Sequence, residues 1–425
     1  MQFKKHILPN GTRLVLAPMK DNQTVTFMMY AGTGSLYETR QEAGISHFLE
    51  HMSFKGTPTR PTPRAISLEL DEIGAVYNAY TWLEKTCYHA KAGAENFEKI
   101  ADIVSDIYTN SIFPDEELKK EKGVVLGEID MYNDDPKSKV DDILMENMYK
   151  GTPAERPTIG FKDTVSAITR EDVLKYRDSQ YRAENTVIAI AGGVSEKKMF
   201  QVAKKIAAKL KSGKYSLQKE TKDKKQTAPE IKIFTKETDQ AHLIVAFRTF
   251  DRFDKDIYVA GSIANILQSG MSSRLFTRLR EQMGSGYYVG AGHFAFNDFG
   301  CFSISTGTTP ERVTEIVKAI LEEVSKLKNE IVGEKELEKV REIVRSHLKM
   351  GLESSDDVAA YFGDQEVAKK EIKTPEEYEK IIQSITAKDI MRVAKRIFTN
   401  ERMNLAIVGP IKETSELKNI LTLKD

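Results

Sequence analysis

The chain has 425 residues, more than one hydrophobic core ordinarily serves, so two or more domains are expected. Lys plus Arg and Asp plus Glu balance at 63 each, which removes the whole-molecule field that would attract nucleic acid or an acidic membrane. Two cysteines, Cys87 and Cys301, are too few for a disulfide framework, and no stretch has the length of a membrane span or a signal peptide's apolar core; a soluble, cytoplasmic chain with no nucleic-acid or membrane partner is expected.

Two strands open the chain. Leu14–Leu16 follows the turn signal Asn10–Gly11, and Thr24–Tyr30 is rich in β-branched and aromatic residues. The stretch Gly44–Thr57, GISHFLEHMSFKGT, then places two histidines and a glutamate in the order His-x-x-Glu-His. On a helix, His47 and His51 leave one face about a turn apart, so both imidazoles can grip one metal ion. Glu50 is swung beside that ion, where its carboxylate can take a proton from a water and pass it to a leaving amine. Zn2+ suits such a site, because imidazole and carboxylate ligands leave one position for a water whose pKa falls to roughly 7. The order is the reverse of the His-Glu-x-x-His metalloprotease signature and carries the same mechanics.

Beyond Pro61 and Pro63, Ala65–Ile73 has helical periodicity and ends at Gly74. Val76–Thr81 and Thr86–Ala90 read as paired strands, with His89 a packed residue of the second and no ligand. Ala94–Ile112 is an amphipathic helix ahead of Pro114, and Asp115–Tyr132 is a second helix. A third zinc ligand has to come from outside the first helix, and this one offers carboxylates; spacing alone does not choose among Glu116, Glu117, Glu121 and Glu128. Helix and buried strand follow between Ser166 and Val194, then a helix over Glu196–Leu210. Residues 211–229 are lysine-rich and short of large apolar side chains, which reads as an exposed linker.

Past the linker the organisation repeats. The stretch from Ser384 copies that from Ser166, with Thr386 answering Thr169 and Gly409 answering Gly192 at the same offset of 217 positions. Gly300–Thr306 and the helix from Pro310 echo Thr86–Ala92 and the helix from Ala94, and Cys301 answers Cys87. The helix Gly333–Leu348 parallels the one that carries Glu121 and Glu128, yet no second His-x-x-Glu-His occurs. The expected fold is α+β, in two duplicated halves, each an antiparallel sheet covered by helices on one face. The expected division is a zinc-binding half at 1–210, the linker at 211–229, and a half without a metal site at 230–425.

With GSLYETRQEAGISHFLEHMSFKGT, NAYT at Asn78–Thr81, KKEKGVVLGEIDMYNDDP from Lys119, GMSSRLF from Gly270 and LREQMGSGYYV from Leu279, nearly the whole chain resembles the pitrilysin family of zinc peptidases, in the short branch that includes mitochondrial processing peptidase and its bacterial relatives. The resemblance implies that His47, His51 and Glu128 hold one zinc per chain, with Glu50 the general base and Glu121 supporting a ligand imidazole. It implies that Asn78, Ala79 and Tyr80 form the sheet edge on which substrate is laid as an added strand. It places a carbonyl clamp and an oxyanion donor on Arg280 and Tyr287. Where relatives often read Gly-Leu-Ala-Tyr, this chain reads Gly-Ser-Gly-Tyr-Tyr at Gly284–Tyr288, so Tyr288 stands as a second candidate donor. The implied function is a zinc endopeptidase acting on peptides or extended segments inside a homodimeric chamber. The alternatives are a non-catalytic scaffold subunit or the active partner of a heterodimer.

Overall fold

The computed structural model describes residues 2–218, 220–221, 225–368, 371–412 and 415–423. The first sheet is built from β1 (Lys4–Ile7), β2 (Arg13–Pro18), β3 (Thr24–Ala31), β4 (Val76–Thr81), β5 (Thr86–Gly93) and β6 (Thr186–Gly192), in the order β1-β2-β6-β3-β5-β4. The second is built from β7 (Glu230–Thr235), β8 (Ala241–Thr249), β9 (Val289–Ala295), β10 (Gly300–Thr308) and β11 (Met403–Gly409), in the order β7-β11-β8-β10-β9. With β1 set aside, the two orders correspond strand for strand, so the duplication legible in the sequence is also topological. Local chemistry repeats too. Thr169 and Thr386 each cap a helix with an aspartate three residues on returning the bond, which satisfies otherwise orphaned N–H groups at both helix starts.

The two-half α+β architecture stands, with two differences from the expected detail. Each sheet is mixed, because β2 pairs parallel to β6 and β7 parallel to β11, while the remaining pairs are antiparallel. A parallel pair needs a long crossover, and here β2 and β6 are separated by most of the first half of the chain. Helices also reach the second face of each sheet. One face of the first sheet packs Phe48, Leu49 and Met52 of the helix Ile45–Ser53 and Ile100, Ile103 and Val104 of the helix Phe97–Asn110. Against its other face lie Val358, Ala359 and Phe362 of the helix Ser355–Val367, on Tyr30, Cys87 and Ala189. The helix Pro136–Met148 in turn packs on β7, β8 and β11.

The compact units therefore interleave along the chain, where the sequence suggested a single cut at 211–229. One unit comprises Met1–Ile129, Arg156–Lys219 and Leu348–Pro375, and the other Asp130–Glu155, Glu220–His347 and Glu376–Asp425. The described part of the linker forms neither helix nor strand, and its residues 219 and 222–224 lie outside the described residues. Both cysteines are buried free thiols. No described helix is long and apolar enough to cross a membrane.

Candidate metal centre

The helix Ile45–Ser53 is set by its N-terminus. Gly44 has φ of 95°, and a Cβ there would lie 2.6 Å from the carbonyl oxygen of Ile159, so the position demands glycine. Glycine brings no capping side chain. Its place is taken by Glu38, whose two carboxylate oxygens accept from the N–H of Gly44 and of Ser46, each at 2.8 Å. Glu38 is fully buried, and burial pushes its carboxyl up to about 7 although both N–H bonds favour the charged form.

His47 and His51 leave this helix side by side, ring centroids 4.5 Å apart. The helix Asp115–Asp134 brings Glu128 opposite them. Its Oε2 lies 3.8 Å from Nε2 of His47 and 3.7 Å from Nε2 of His51, and the three ligand atoms are all within 4.8 Å of one another. His51 Nδ1–H donates to Glu121 Oε1 at 2.8 Å, which fixes the tautomer with the Nε2 lone pair toward Glu128. Glu121's other oxygen meets Lys55 Nζ at 2.6 Å.

This donor set fits zinc. Glu128 Oε2 is buried with no hydrogen-bond partner among the described residues, a state that costs energy unless something else takes the lone pair. Two donors about 2.1 Å from one ion cannot be more than about 4.2 Å apart, and both imidazole-to-carboxylate separations satisfy that limit. Burial, with His51 close by, draws His47 down to about 3, so it is the neutral imidazole that a metal requires. For His51, burial acts in the same direction, but the bond to Glu121 and the surrounding carboxylates outweigh it and leave the imidazole above its ordinary value.

Glu50 is buried next to this cluster without joining it, and burial raises its carboxyl above the ordinary range. Its Oε2 accepts from Thr81 Oγ1 at 2.6 Å. Thr81 ends β4, which carries Asn78, Ala79 and Tyr80 and is the outer strand of its sheet, so one of its backbone edges is free of a neighbouring strand. The side chains of that strand divide between faces: Tyr80 OH donates to Asp364 Oδ1 at 3.5 Å on the helix Ser355–Val367. His89 on β5 pairs across from Asn78 and is not part of the metal cluster.

Arg280 and Tyr287 belong to the other compact unit. Arg280 lies in a π-helical segment, Phe276–Gln282, and its guanidinium donates to the carbonyl oxygen of Tyr287 at 3.1 Å. The ring of Tyr287 is exposed, whereas Tyr288 is held: its hydroxyl and His242 Nδ1 are 3.1 Å apart, and Lys137 Nζ lies 4.7 Å from its ring centre. Burial, with Asp141 and Asp135 nearby, pushes the Tyr288 phenol up to about 12. Glu38, Lys55 and Thr81 were not singled out from the sequence. Glu38 had one local signal, since a helix preceded by glycine must find an N-terminal acceptor elsewhere.

Fold and site together define a metallopeptidase architecture of the inverted-motif type. Residues 13–162 match the family model described as insulinase (peptidase family M16), and residues 167–344 match that of the peptidase M16 inactive domain. An uncharacterized zinc protease of Rickettsia felis is 35% identical over 409 residues, covering 95% of this chain and 96% of that protein. The uncharacterized zinc protease YmxG of Bacillus subtilis is 33% identical over 408 residues, covering 96% and 98%. The crystal structure of a protease from Helicobacter pylori superposes with a TM-score of 0.89 at 23% identity, covering 96% of this chain and 99% of that one, a likeness of fold. The chain belongs to peptidase family M16, the pitrilysin-type zinc peptidases.

Proposed function

We propose that this chain is a zinc endopeptidase that hydrolyses peptides or extended, unfolded segments, and that two copies enclose the chamber in which it acts. The observation that carries the reading is the convergence of His47 Nε2, His51 Nε2 and Glu128 Oε2 beside the buried carboxylate of Glu50. One zinc per chain held by those three residues would supply a water of lowered pKa and polarise the scissile carbonyl. Glu50 takes the proton from the attacking water and delivers it to the leaving amine, a task suited to a carboxyl raised toward neutrality. Glu121 orients His51 through Nδ1. The free edge of β4 at Asn78, Ala79 and Tyr80 takes substrate backbone as an added strand, which selects for extended chains. Arg280 clamps a substrate carbonyl and Tyr287 donates to the oxyanion; Tyr288, already engaged with His242, does not.

Glu50→Gln keeps the shape and removes the base. Hydrolysis of a fluorogenic peptide should fall by at least ~10²-fold while zinc content, measured on the same sample, stays at one per chain. Near wild-type turnover in that zinc-loaded variant would sink the assignment. The chamber has its own test. Glu50→Gln chains and Tyr287→Phe chains, each nearly inactive alone, are co-expressed and the mixed dimer isolated. If Glu50 of one chain works with Tyr287 of the other, one site collects both defects and the other none, so activity returns to about half of wild type. A mixed dimer as inactive as its parents rules this sharing out.

A further inference from the structure

The base assigned to Glu50 has to be held as well as present, and the structure shows what holds it. We propose that Thr81 is a positioning residue that fixes the carboxylate of Glu50 and ties it to the strand on which substrate is laid. The inference deepens the peptidase reading and rests on it for its kinetic consequence.

Glu50 projects from a helix, where a glutamate side chain has several rotamers open to it. Among the described residues the hydroxyl of Thr81 is its hydrogen-bond partner, at 2.6 Å to Oε2. A hydroxyl has one proton to give, so this bond engages one carboxylate oxygen and leaves Oε1 as the acceptor for the reacting water. The residue type matters. Threonine is stiff at χ1 in a strand, so its hydroxyl direction follows the backbone of β4.

That backbone is pinned from three sides. The turn after Thr81 is closed by Trp82 N–H donating to Lys85 O at 2.7 Å. The carbonyls of Trp82 and Leu83 accept from Ser35 N–H at 3.3 Å and Leu36 N–H at 2.9 Å, in the segment that leads into the metal helix. The approach is so close that a Cβ on Gly34 would lie 1.9 Å from the Trp82 oxygen. Tyr80, adjacent to Thr81 and facing the other way, reaches Asp364. Three residues before Thr81 stands Asn78, at the start of the segment assigned to substrate backbone. A peptide added to β4 is therefore aligned on the same rigid strand that aligns the base, and substrate register and base position are set by one element.

The test compares Thr81→Val, which keeps the branched shape without the hydroxyl, with Thr81→Ser, which restores it. Both are made in the full zinc-loaded chain and checked for wild-type zinc content and melting temperature. Loss of a hydrogen bond to a charged group should lower kcat of Thr81→Val about 10–100-fold with KM within about twofold, and Thr81→Ser should recover most of that loss. In crystal structures, Glu50 should leave its wild-type rotamer in Thr81→Val and keep it in Thr81→Ser. An unmoved Glu50 in Thr81→Val overturns the proposal, as does a loss confined to KM or a Thr81→Ser variant as impaired as Thr81→Val. The rotamer comparison decides the matter even if the wild-type chain cleaves no peptide, so failure here and failure of the peptidase reading are told apart.

Discussion

Glu121 and Glu128 are the same residue type on one face of one helix, two turns apart, and they differ in burial and in what each carboxylate touches. Glu128 Oε2 faces two imidazole nitrogens and has no hydrogen-bond partner among the described residues, while both oxygens of Glu121 are already engaged by His51 and Lys55. Under the proposed zinc reading, loss of the former removes a ligand, and loss of the latter loosens one. Zinc affinity in competition titrations should drop about 10–100-fold in Glu121→Ala and much further in Glu128→Ala, and the opposite ranking would exchange their roles. This contrast also marks what the sequence could tell. The pair His47 and His51 was legible because four residues on a helix is a local rule. The choice of glutamate was not, because it depends on how two helices pack. Family resemblance supplied Glu128, and Thr81, though it closes the NAYT motif, had no role legible in the sequence because its bond spans a separation of 31 residues that leaves no periodic trace.

At the scale of the element, the helix that carries His47 and His51 stands on a buried carboxyl. Glu38 caps it from outside, and its carboxyl, near 4.5 in an unfolded chain and about 7 in place, holds its proton more tightly when the protein is folded. Its stabilising contribution is therefore complete below about pH 4.5 and is lost as pH rises through 7, an effect on the order of 3 kcal/mol at about 1.4 kcal/mol per unit. Glu38→Gln has no such proton. In zinc-stripped protein, urea unfolding from pH 5 to pH 8 should show the variant gaining on wild type as pH rises, and parallel profiles would refute the assignment. Element boundaries were readable where punctuation was strong. The helix read over Asp115–Tyr132 ends two residues later, at Asp134. Strand β1, KKHI, was missed because three of its four residues are charged or polar and it lies at an exposed edge, where no apolar alternation is required.

For the molecule as a whole, duplication was legible and the exchange of helices was not, since a helix carries no mark of which sheet it will cover. The structure assigns Ser355–Val367 to the first sheet, where Val358, Ala359 and Phe362 seal Tyr30, Cys87 and Ala189 from water. Residues 1–210 alone should thus bind a hydrophobic dye such as ANS strongly, and a peptide spanning 348–375 should quench that signal and raise the melting temperature. A fragment that is dye-silent by itself would show that this face needs no cover. The same interleaving sets a timetable for biosynthesis. All three residues of the candidate metal cluster have been translated by residue 128, yet the helix that closes their sheet emerges about 150 residues after 1–210 is complete, roughly ten to thirty seconds later at ordinary elongation rates. During that interval the nascent chain presents a finished sequence for the metal site on a half-covered sheet, so the ribosome-bound stage is when this protein is most exposed to aggregation and to capture by chaperones.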